Sequence, residues 1–332
     1  MKKIAVVILS WNARSLLEQY LPSVVAHTPS ELADIVLADN GSTDSSVAYA
    51  LSLGVKVLEL PQNYGFARGY NEAIKQLKHE YILLLNNDVR VTPGWLEPLF
   101  AFMEQHPEVV SVQPKIRWDR EPERYEYAGA EGGYMDWLGY PFCRGRIFDT
   151  LEQDQGQYGS EPKRVFWTTG AAMLVRRENY VVEGGLDERF FAHQEEIDLC
   201  WRWNSAGHQL FVVPQSEVFH YGGASLSAEN PHKTFLNFRN NLLMLRKNLP
   251  DSRRWWVLTL RLFLDLLAAL VFVLRRKPKD AMAVFKAWNA FRQTSAAQRT
   301  EGRVQSYQRL YRHSILLRYH LFGEKTFDKL KP

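Results

Sequence analysis

Three groups of acidic and amide residues in this chain are of the kinds that hold cations, bind nucleotides or accept protons. They are Asp39, the run Asn86-Asn87-Asp88, and Glu195-Glu196 with Asp198 close behind. Side chains of these types bind divalent cations through oxygen atoms and serve as general acids and bases. What each group does depends on the strand or helix that positions it.

The run Asn86-Asn87-Asp88 directly follows an unbroken apolar stretch, Tyr81–Leu85. A short apolar stretch bounded by turn residues predicts a strand that is buried on both faces of a parallel sheet. Asp88 then lies at the carboxyl end of the strand, where open α/β sheets bind ligands. One carboxylate beside two amides suits Mg²⁺, which fills its octahedron with phosphate oxygens and water. An ordinary Asn/Asp turn after a strand is the alternative interpretation.

Asp39 follows a second predicted strand, Ile35–Ala38. An acidic residue at this place in a dinucleotide-binding fold accepts hydrogen bonds from the nucleotide. A helix N-cap or an Asx turn explains the same residue without a ligand. The first strand is followed by Ser10-Trp11-Asn12-Ala13-Arg14 rather than by G-x-G-x-x-G, which argues against a dinucleotide. A mononucleotide-binding site of a different design is still compatible with Asp39.

Predicted strands and helices alternate with short links up to Asp88, which indicates a parallel sheet with right-handed crossovers. We expect strands at Ile4–Leu9, Ile35–Ala38, Val55–Leu60 and Tyr81–Leu85, and helices at 14–26, from about Ser45, and ending near Lys78. Further along we expect a helix at Pro93–Gln105, a strand at Val109–Gln113, hairpins and loops at 115–165, strands at Arg164–Thr168 and Ala171–Arg176, a helix at 194–206, and short strands at Leu210–Val213 and Val218–His220.

The composition is that of a globular protein, with 332 residues, 46% hydrophobic and 23% charged. The net charge of +4 is too small to indicate nucleic acid binding. The two cysteines, Cys143 and Cys200, have no metal-ligand or disulfide spacing, which fits a reducing compartment. The apolar run Ile4–Leu9 is too short for a signal peptide and lacks a cleavage site, so we interpret it as a strand of a cytosolic protein.

The last third of the chain is helical and rich in Lys and Arg. Residues 255–274 match the length of a membrane span, but Arg261 and Asp265 lie inside it, four apart, where they can pair on one helix face. Such a helix can lie on a membrane surface, pack on the catalytic domain or a partner, or span the bilayer. Charge within the apolar stretch favours the surface position, because charges at bilayer depth are costly. A second helix is expected at Ala281–Phe291.

Six segments appear in a fixed order that is similar to a known enzyme family. They are Val6–Asn12, Asp39-Asn40-Gly41-Ser42-Thr43-Asp44, Asn63-Tyr64-Gly65-Phe66-Ala67, Leu85–Asp88, Trp167-Thr168-Thr169-Gly170-Ala171-Ala172 and Phe190–Leu199. Together they resemble family 2 glycosyltransferases of the GT-A fold, near the bacterial rhamnosyltransferase-like branch. The resemblance covers about residues 1–225 and the segment Asn237-Phe238-Arg239-Asn240-Asn241. It implies an α/β, Rossmann-like and mostly parallel sheet flanked by helices, with a C-terminal helical region at 226–332 that we expect to associate with membranes.

The resemblance also implies roles for individual residues. Leu9 and Trp11 match positions that hold the base, and Asp39 matches the acid that reads uracil or thymine. Residues of the loop and helix start near the sugar diphosphate are matched by Gly65, Arg68 and Asn71. Gly170 and Ala171 would let the backbone approach the donor or the acceptor closely.

The metal motif of the family is altered in this chain. Asn86-Asn87-Asp88 replaces Asp-x-Asp, so that only the last carboxylate remains to bind Mg²⁺ or Mn²⁺. His220 matches a histidine that helps to bind the metal in some members; a partly buried strand histidine is the alternative.

The catalytic base is implied at Glu195-Glu196, where the family usually has Glu-Asp. The second residue, Glu196, would take the acceptor proton, and Glu195 is a possible substitute because glutamate reaches one methylene further than aspartate. Asp198 faces another way and is expected to contact the backbone or Arg202. Acids that simply favour a helix N-terminus are the alternative.

The function expected from this resemblance is inverting sugar transfer from dTDP-rhamnose or a UDP-sugar to a glycan or lipid-linked acceptor in cell-surface polysaccharide synthesis. The enzyme is expected to use Mg²⁺ or Mn²⁺, to bind no nucleic acid, and to lie on the inner face of the cytoplasmic membrane. A nucleotidyltransferase of similar fold is one alternative, although no Gly-rich, basic phosphate loop follows the first strand. A silent module that binds nucleotide-sugars or glycans is the other.

Overall fold

Four parallel strands and the helices between them form the first half of the fold. The computed structural model describes residues 2–126, 129–222, 230–295 and 302–330. The elements of this half are β1 (Ile4–Ser10), α1 (Arg14–His27), β2 (Ala33–Asp39), α2 (Ser46–Ser52), β3 (Lys56–Glu59), α3 (Gly65–Lys75) and β4 (Tyr81–Asn86). The strands lie in the order β4-β1-β2-β3 and are all parallel. β1 and β4 are nearly fully buried because their apolar runs meet helices on both faces.

The second half of the sheet is mixed rather than parallel. It contains β5 (Val89–Val91), α4 (Glu97–Gln105), β6 (Val109–Trp118), β7 (Glu121–Tyr125), β8 (Gly133–Met135), β9 (Pro141–Cys143), β10 (Arg146–Ile147), β11 (Thr150–Leu151), β12 (Lys163–Arg164), β13 (Ala172–Arg176), α5 (Arg177–Val182), α6 (Glu195–Ser205) and β14 (Gln209–His220). β13 lies between β4 and β6 and is antiparallel to both, and β14 runs parallel to β6 on the far side. The predicted α/β fold is confirmed.

Several predicted boundaries differ from the observed ones. α4 begins at Glu97 instead of Pro93, because the residues just before it form a turn. The two short strands expected near the end of this half are one strand, β14, with an irregularity between Val213 and Glu217. The strand expected at Arg164–Thr168 is reduced to β12, and Trp167 forms only an isolated bridge with Gly133.

The segment at 115–165 extends β6 and then forms hairpins, as expected. Strands β8 to β11 make a separate four-stranded antiparallel sheet. Gly133 packs flat against the Trp167 indole, so that a Cβ at this position would lie 2.0 Å from the ring. The tip of the β8–β9 hairpin contacts the C-terminal segment, where Asp136 accepts the Ile315 amide at 3.0 Å.

The C-terminal part consists of α7 (Pro231–Asn248), α8 (Asp251–Leu274), α9 (Pro278–Gln293), α10 (Arg303–Gln308), α11 (Ile315–His320) and α12 (Phe327–Leu330). Helices α7, α8 and α9 pack on one another. The proposed domain boundary at 225/226 lies outside the described residues. On the described side, β14 ends at His220 and α7 begins at Pro231.

Helix α8 has an unusual distribution of polarity. Its protein-facing side carries Arg254, Arg261 and Asp265 among apolar residues, and these three charged side chains are buried. Arg261 and Asp265 pair at 3.4 Å, as their spacing predicts. The outer side is apolar and exposed, with Phe263 63% and Leu267 56% accessible. The helix is therefore anchored by its polar face, and its apolar face is left uncovered.

Candidate active site

The carboxyl ends of β1, β2 and β4 meet at one edge of the sheet. Ser10 lies opposite Asp39 in the β1–β2 register, and Leu9 lies opposite Asn86 in the β1–β4 register. The predicted nucleotide acid and the predicted metal motif therefore stand side by side. The continuous apolar runs place both at this edge, because each run ends where its polar residues begin.

Asp39 is buried and offers one oxygen to a ligand. Its Oδ2 accepts the Ser42 amide at 3.0 Å, and its Oδ1 is buried without a hydrogen-bond partner among the described residues. A buried carboxylate oxygen without a partner is unfavourable unless a ligand donor supplies one. The Asx-turn alternative for Asp39 thus accounts for one of its two oxygens.

Two loops beside Asp39 are tied together by short polar contacts. The side-chain oxygen of Asn12 accepts a hydrogen bond from the Thr43 backbone amide at 2.7 Å. The backbone amide of Asn12 donates to Ser42 Oγ at 2.9 Å. This pairing keeps the loop after β1 against the loop after β2, with Trp11 exposed and Leu9 partly buried at the edge. Both residues thus border Asp39, where a planar base could lie.

Asp88 and His220 lie together at the same edge. The strand β5 starts directly after Asp88 and pairs with the end of β14, so that Val89 lies opposite His220. His220 Nε2 is 3.0 Å from Asp88 Oδ1, and His220 Nδ1 is 3.2 Å from Glu126 Oε2. Two groups bound to adjacent positions of an octahedral ion at about 2.1 Å are about 3 Å apart. The Asp88–His220 spacing therefore fits a shared divalent cation.

Glu126 is a residue that the sequence did not single out. Histidines that bind metals usually direct their second ring nitrogen to a carboxylate, which fixes the ring and its tautomer. Burial alone lowers the pKa of His220, but Asp88 and Glu126 outweigh it and raise that pKa well above its usual value. Burial would likewise raise the pKa of Asp88, but His220 lowers it below its usual value.

Protein groups alone do not complete a metal site here. Within the described ranges, no group of three or more His, Cys, Asp and Glu side chains is arranged to hold an ion. Asn86 Nδ2 is 3.4 Å from His220 Nε2 and so borders the Asp88–His220 pair, whereas Asn87 Nδ2 is 3.5 Å from Ser10 Oγ. A cation at this place would take its remaining ligands from phosphate and water, as Mg²⁺ and Mn²⁺ commonly do.

The three α3 residues that were predicted to lie near the sugar diphosphate have different environments. Gly65 has φ +76°, and a Cβ there would lie 2.5 Å from the Phe191 ring. Arg68 is exposed at the rim and stacks 4.1 Å from the Tyr64 ring. Asn71 differs from the expectation, because its amide is buried and bonded to Leu186, Tyr180 and Glu188. The Asn71 amide therefore positions the segment after α5, and its proximity to the sugar diphosphate stays a prediction.

Gly170 and Ala171 connect the sheet edge to the helix that carries the acidic pair. The Asn86 amide donates to the Ala171 carbonyl at 3.0 Å. The Gly170 backbone amide lowers the pKa of the Glu196 carboxylate. A Cβ on Gly170 would lie 3.4 Å from the Phe66 ring and 3.7 Å from Glu196 Cβ. The acids at the start of α6 are thereby placed beside the edge that holds Asp39 and Asp88.

Glu195 and Glu196 have different surroundings although they are neighbours. Glu195 is 3% exposed and Glu196 is more accessible, and each has an oxygen, Oε2, without a partner among the described residues. Burial raises the pKa of Glu195 well above its usual value, and the charge of Glu196 raises it further. Burial also raises the pKa of Glu196, against hydrogen bonds from backbone amides such as Gly170 that lower it. Burial thus favours the neutral form of both acids, and the charge of Glu196 favours it further at Glu195.

Asp198 has a structural role, as its predicted contact with Arg202 indicates. It is fully buried and accepts hydrogen bonds from Arg202 Nε at 3.0 Å, Lys247 Nζ at 2.7 Å and Asn248 Nδ2 at 2.8 Å. These contacts fasten α6 to α7. The sequence spacing predicts the Arg202 contact, whereas the α7 partners are distant in sequence.

The arrangement has Asp39 and the Asp88–His220 pair on one sheet edge, with acidic side chains at a helix start beside them. This is the arrangement expected of a GT-A glycosyltransferase. Residues 5–176 match glycosyl transferase family 2, and the chain belongs to this family. The predicted resemblance is confirmed. The protein is therefore a glycosyltransferase.

The chain is similar to named rhamnosyltransferases. The N-acetylglucosaminyl-diphospho-decaprenol L-rhamnosyltransferase of Mycobacterium tuberculosis is 28% identical over 276 residues, which cover 77% of this chain and 87% of that protein. The dTDP-rhamnosyl transferase RfbF of Shigella flexneri is 22% identical over 205 residues, which cover 58% of this chain and 64% of that protein.

Solved structures agree on the fold. GalNAc-T7, crystallised with UDP, GalNAc and Mn²⁺, superposes with a TM-score of 0.59 at 18% identity. The match covers 76% of this chain and 49% of that chain, so this protein spans about half of the solved one.

Proposed function

We propose that this protein transfers a sugar, with inversion, from a nucleotide-sugar to a glycan or lipid-linked acceptor in cell-surface polysaccharide synthesis. The proposal rests on one observation: Asp39, the Asp88–His220 pair and Glu196 border the same sheet edge. The names of the similar proteins support an L-rhamnosyl group and an acceptor that ends in a lipid diphosphate. A dTDP-rhamnose donor is therefore favoured over a UDP-sugar.

The proposed reaction is a single in-line displacement at the anomeric carbon. The acceptor oxygen forms the new glycosidic bond while the bond to the nucleoside diphosphate breaks and its electron pair leaves with the phosphate. Glu196 takes the proton of the acceptor hydroxyl, a contribution of about 10²–10⁴-fold in rate. A divalent cation, when bound, offsets the negative charge on the departing diphosphate. Asp88 and His220 would hold this cation, and Asp39 would bind the base edge.

Glu196 is the better candidate for the base than Glu195. A general base must be ionised and within reach of the acceptor. Glu196 is the more accessible of the two, and backbone amides stabilise its charged form. Glu195 is enclosed and holds its proton more tightly. A protonated Glu195 leaves Glu196 free to ionise without a second negative charge beside it.

Donor turnover across a panel of nucleotide-sugars, with and without Mn²⁺ or Mg²⁺, tests this function in the wild type and in Asp88→Ala. We expect one donor to release its nucleoside diphosphate in a metal-dependent reaction that the variant loses. Binding that needs no metal and is unchanged in Asp88→Ala would contradict the proposal and favour a silent binding module. Consumption of a nucleoside triphosphate with release of pyrophosphate would instead identify a nucleotidyltransferase.

We also propose that the helical region at 226–332 docks the enzyme on the inner face of the cytoplasmic membrane. Within the described residues, α8 is the one helix long and apolar enough to cross a bilayer. Its exposed apolar side continues onto α9 through Met282 and Phe285, and basic residues flank it. These are Arg253, Arg275, Arg276, Lys277 and Lys279. An apolar strip between exposed cations suits a membrane with anionic headgroups.

The contacts of α8 favour a position in the plane of the membrane over a span. Arg261 donates to the Leu138 carbonyl at 3.0 Å and to the Asn241 side chain, and Trp288 Nε1 donates to Asp265 at 3.0 Å. A spanning helix would have to break these contacts and expose both charges to lipid, at about 2.5–3.5 kcal/mol for each even on a lenient scale. In-plane docking keeps every one of them.

Vesicle flotation with and without phosphatidylglycerol tests the docking surface. Phe263→Asp with Leu267→Asp should reduce vesicle binding about 10²-fold or more, because burying each side chain contributes about 1.5–3 kcal/mol. Leu51→Asp with Val182→Asp is the matched control, since these residues are also exposed apolar positions, 57% and 77% accessible, on α2 and α5. Equal binding by both double variants would contradict a membrane-facing α8.

A further inference from the structure

Three of the four residues before α6 adopt a backbone conformation that these residue types rarely accept. Phe191, His193 and Gln194 all have positive φ, at 64°, 71° and 70°. None of them is glycine, and each such residue costs of order 1–3 kcal/mol when it is held there. Backbone strain of this kind persists only where surrounding contacts enforce it. The segment leads directly into Glu195 and Glu196, so its shape sets where the acidic pair lies.

A single side chain of α7 holds most of this segment. The amide Nδ2 of Asn240 donates to the carbonyls of Phe190 at 3.1 Å, Ala192 at 2.8 Å and His193 at 2.7 Å. Asn240 is fully buried. Arg239 donates to Asn240 Oδ1 at 2.8 Å and so fixes which way the amide points. The two hydrogens of this amide group thus serve three carbonyls, two of which lie within the segment.

A second asparagine holds the last residue of the segment. Gln194 Nε2 donates to the Asn237 carbonyl at 3.1 Å, and Gln194 Oε1 accepts from Asn241 Nδ2 at 2.9 Å. Asn241 also donates to the Gly139 carbonyl at 2.7 Å and is contacted by the buried Arg261 of α8. The side chain of Gln194 is therefore fixed at both ends on α7.

The same segment contacts the donor side of the site. The Phe191 carbonyl accepts the Phe66 amide at 2.7 Å at the start of α3, and the Phe191 ring fills the space beside Gly65. A shift of this segment would therefore move both the acidic pair and the start of α3. The hydrogen bonds from α7 therefore hold the acidic pair in place relative to the start of α3, which is predicted to lie near the sugar donor. They do not contact the reacting atoms themselves.

We propose that Asn240 and Asn241 are positioning residues that hold the strained segment 191–194, and through it Glu196, in the geometry required for proton transfer. This inference rests on the proposed role of Glu196 as the base. An error of about 1 Å in the position of a catalytic group can cost about 10²-fold in rate. The segment Asn237–Asn241 would thus contribute to catalysis by positioning the base, although it lies away from the sheet edge formed by the carboxyl ends of β1, β2 and β4.

Asn240→Ala in the full-length enzyme tests the proposal by single-turnover transfer and by donor binding. We expect kcat to fall about 10²-fold, while the donor Kd stays within about twofold of the wild type. Asn237→Ala is the matched control, since this asparagine lies on the same helix and contacts the segment only through its backbone carbonyl. Hydrogen exchange at residues 190–196, which requires no activity, should be faster in Asn240→Ala than in Asn237→Ala.

Gln194→Gly separates positioning from simple stabilisation. Glycine accepts φ 70° without strain, which offsets the loss of the two Gln194 hydrogen bonds to α7. Thermal stability should therefore stay close to that of the wild type while kcat falls at least about tenfold. A loss of kcat that follows the loss of Tm in every variant would overturn the proposal, as would wild-type kcat in Asn240→Ala or Gln194→Gly. A wild-type enzyme that transfers no sugar would instead overturn the proposed function, and a fully active Glu196→Gln variant would overturn the assignment of Glu196 as the base. In both cases the hydrogen-exchange data would still show whether Asn240 holds the segment.

Discussion

Replacing each acid of the α6 pair by its amide distinguishes their roles in catalysis. Glu196→Gln keeps the size of the side chain and an oxygen for the Gly170 amide, but it removes the site that takes a proton. The expected loss is about 10²–10⁴-fold in kcat, or about 2.7–5.4 kcal/mol of transition-state stabilisation. Donor binding should be unchanged, because Asp39 and the Asp88–His220 pair remain intact.

The companion variant Glu195→Gln should behave almost like the wild type. Burial and the neighbouring charge of Glu196 raise the pKa of Glu195 well above its usual value, and glutamine imitates the neutral carboxyl group that this shift favours. We expect a change in kcat of less than about fivefold, since no charge is removed. The base works only when ionised, and burial raises the pKa of Glu196 above its usual value. In the wild type and in Glu195→Gln, kcat should therefore rise as the pH increases through this raised pKa.

Single-turnover transfer at saturating Mn²⁺ between about pH 5 and pH 9, with donor Kd from calorimetry, provides the measurement. Catalytic chemistry and binding are then read separately for each variant. A loss of 10²-fold or more in Glu195→Gln with near-normal Glu196→Gln would show that the roles are exchanged. Near-normal transfer by both variants would refute the assignment of the base to this pair.

Three further predictions concern residues around the site. Glu126→Gln should weaken Mn²⁺ binding by about 10–100-fold in a metal titration, because it loosens the orientation of His220. Asp265→Ala should destabilise the fold by about 3–5 kcal/mol in urea unfolding, since it leaves the buried Arg261 without its charged partner; a change below about 1 kcal/mol would contradict this. Asp39→Ala should raise the Kd for a uridine or thymidine diphosphate by about tenfold or more, because its buried oxygen is expected to accept from the base, and equal affinity would contradict it.

The sheet edge was predictable because its signals are local. Unbroken apolar runs such as Tyr81–Leu85 are long enough for one buried strand, and each ends at polar residues. The register of β1 against β2 and β4 then brings Asp39 and Asn86 to one edge. The sequence did not indicate the direction of β13, because the apolar run of Ala172–Arg176 suits a parallel and an antiparallel neighbour equally well.

The residues that the sequence missed act through contacts between distant segments. Glu126 reaches His220 only because β6, β7 and β14 are neighbours, and Asn240 reaches the segment before α6 only because α7 packs there. Their residue types carry no periodic signal. Asn71 illustrates the reverse case, since its place in a familiar segment suggested a ligand contact, whereas its amide is used within the protein. Positive φ at Phe191 likewise has no signal in the side-chain pattern.

The altered metal motif is explained by what surrounds it. A single carboxylate in Asn86-Asn87-Asp88 supplies one charge fewer than Asp-x-Asp, which would weaken cation binding if nothing else changed. Here the pairing of β5 with β14 brings His220 within 3.0 Å of Asp88, and Glu126 supplies a second carboxylate behind the imidazole. In the proposed cation site, the second negative charge lies behind the imidazole ring rather than beside the cation. The Asn86 amide lies beside this pair without adding charge, and in the proposed site the remaining ligands come from the donor diphosphate and water.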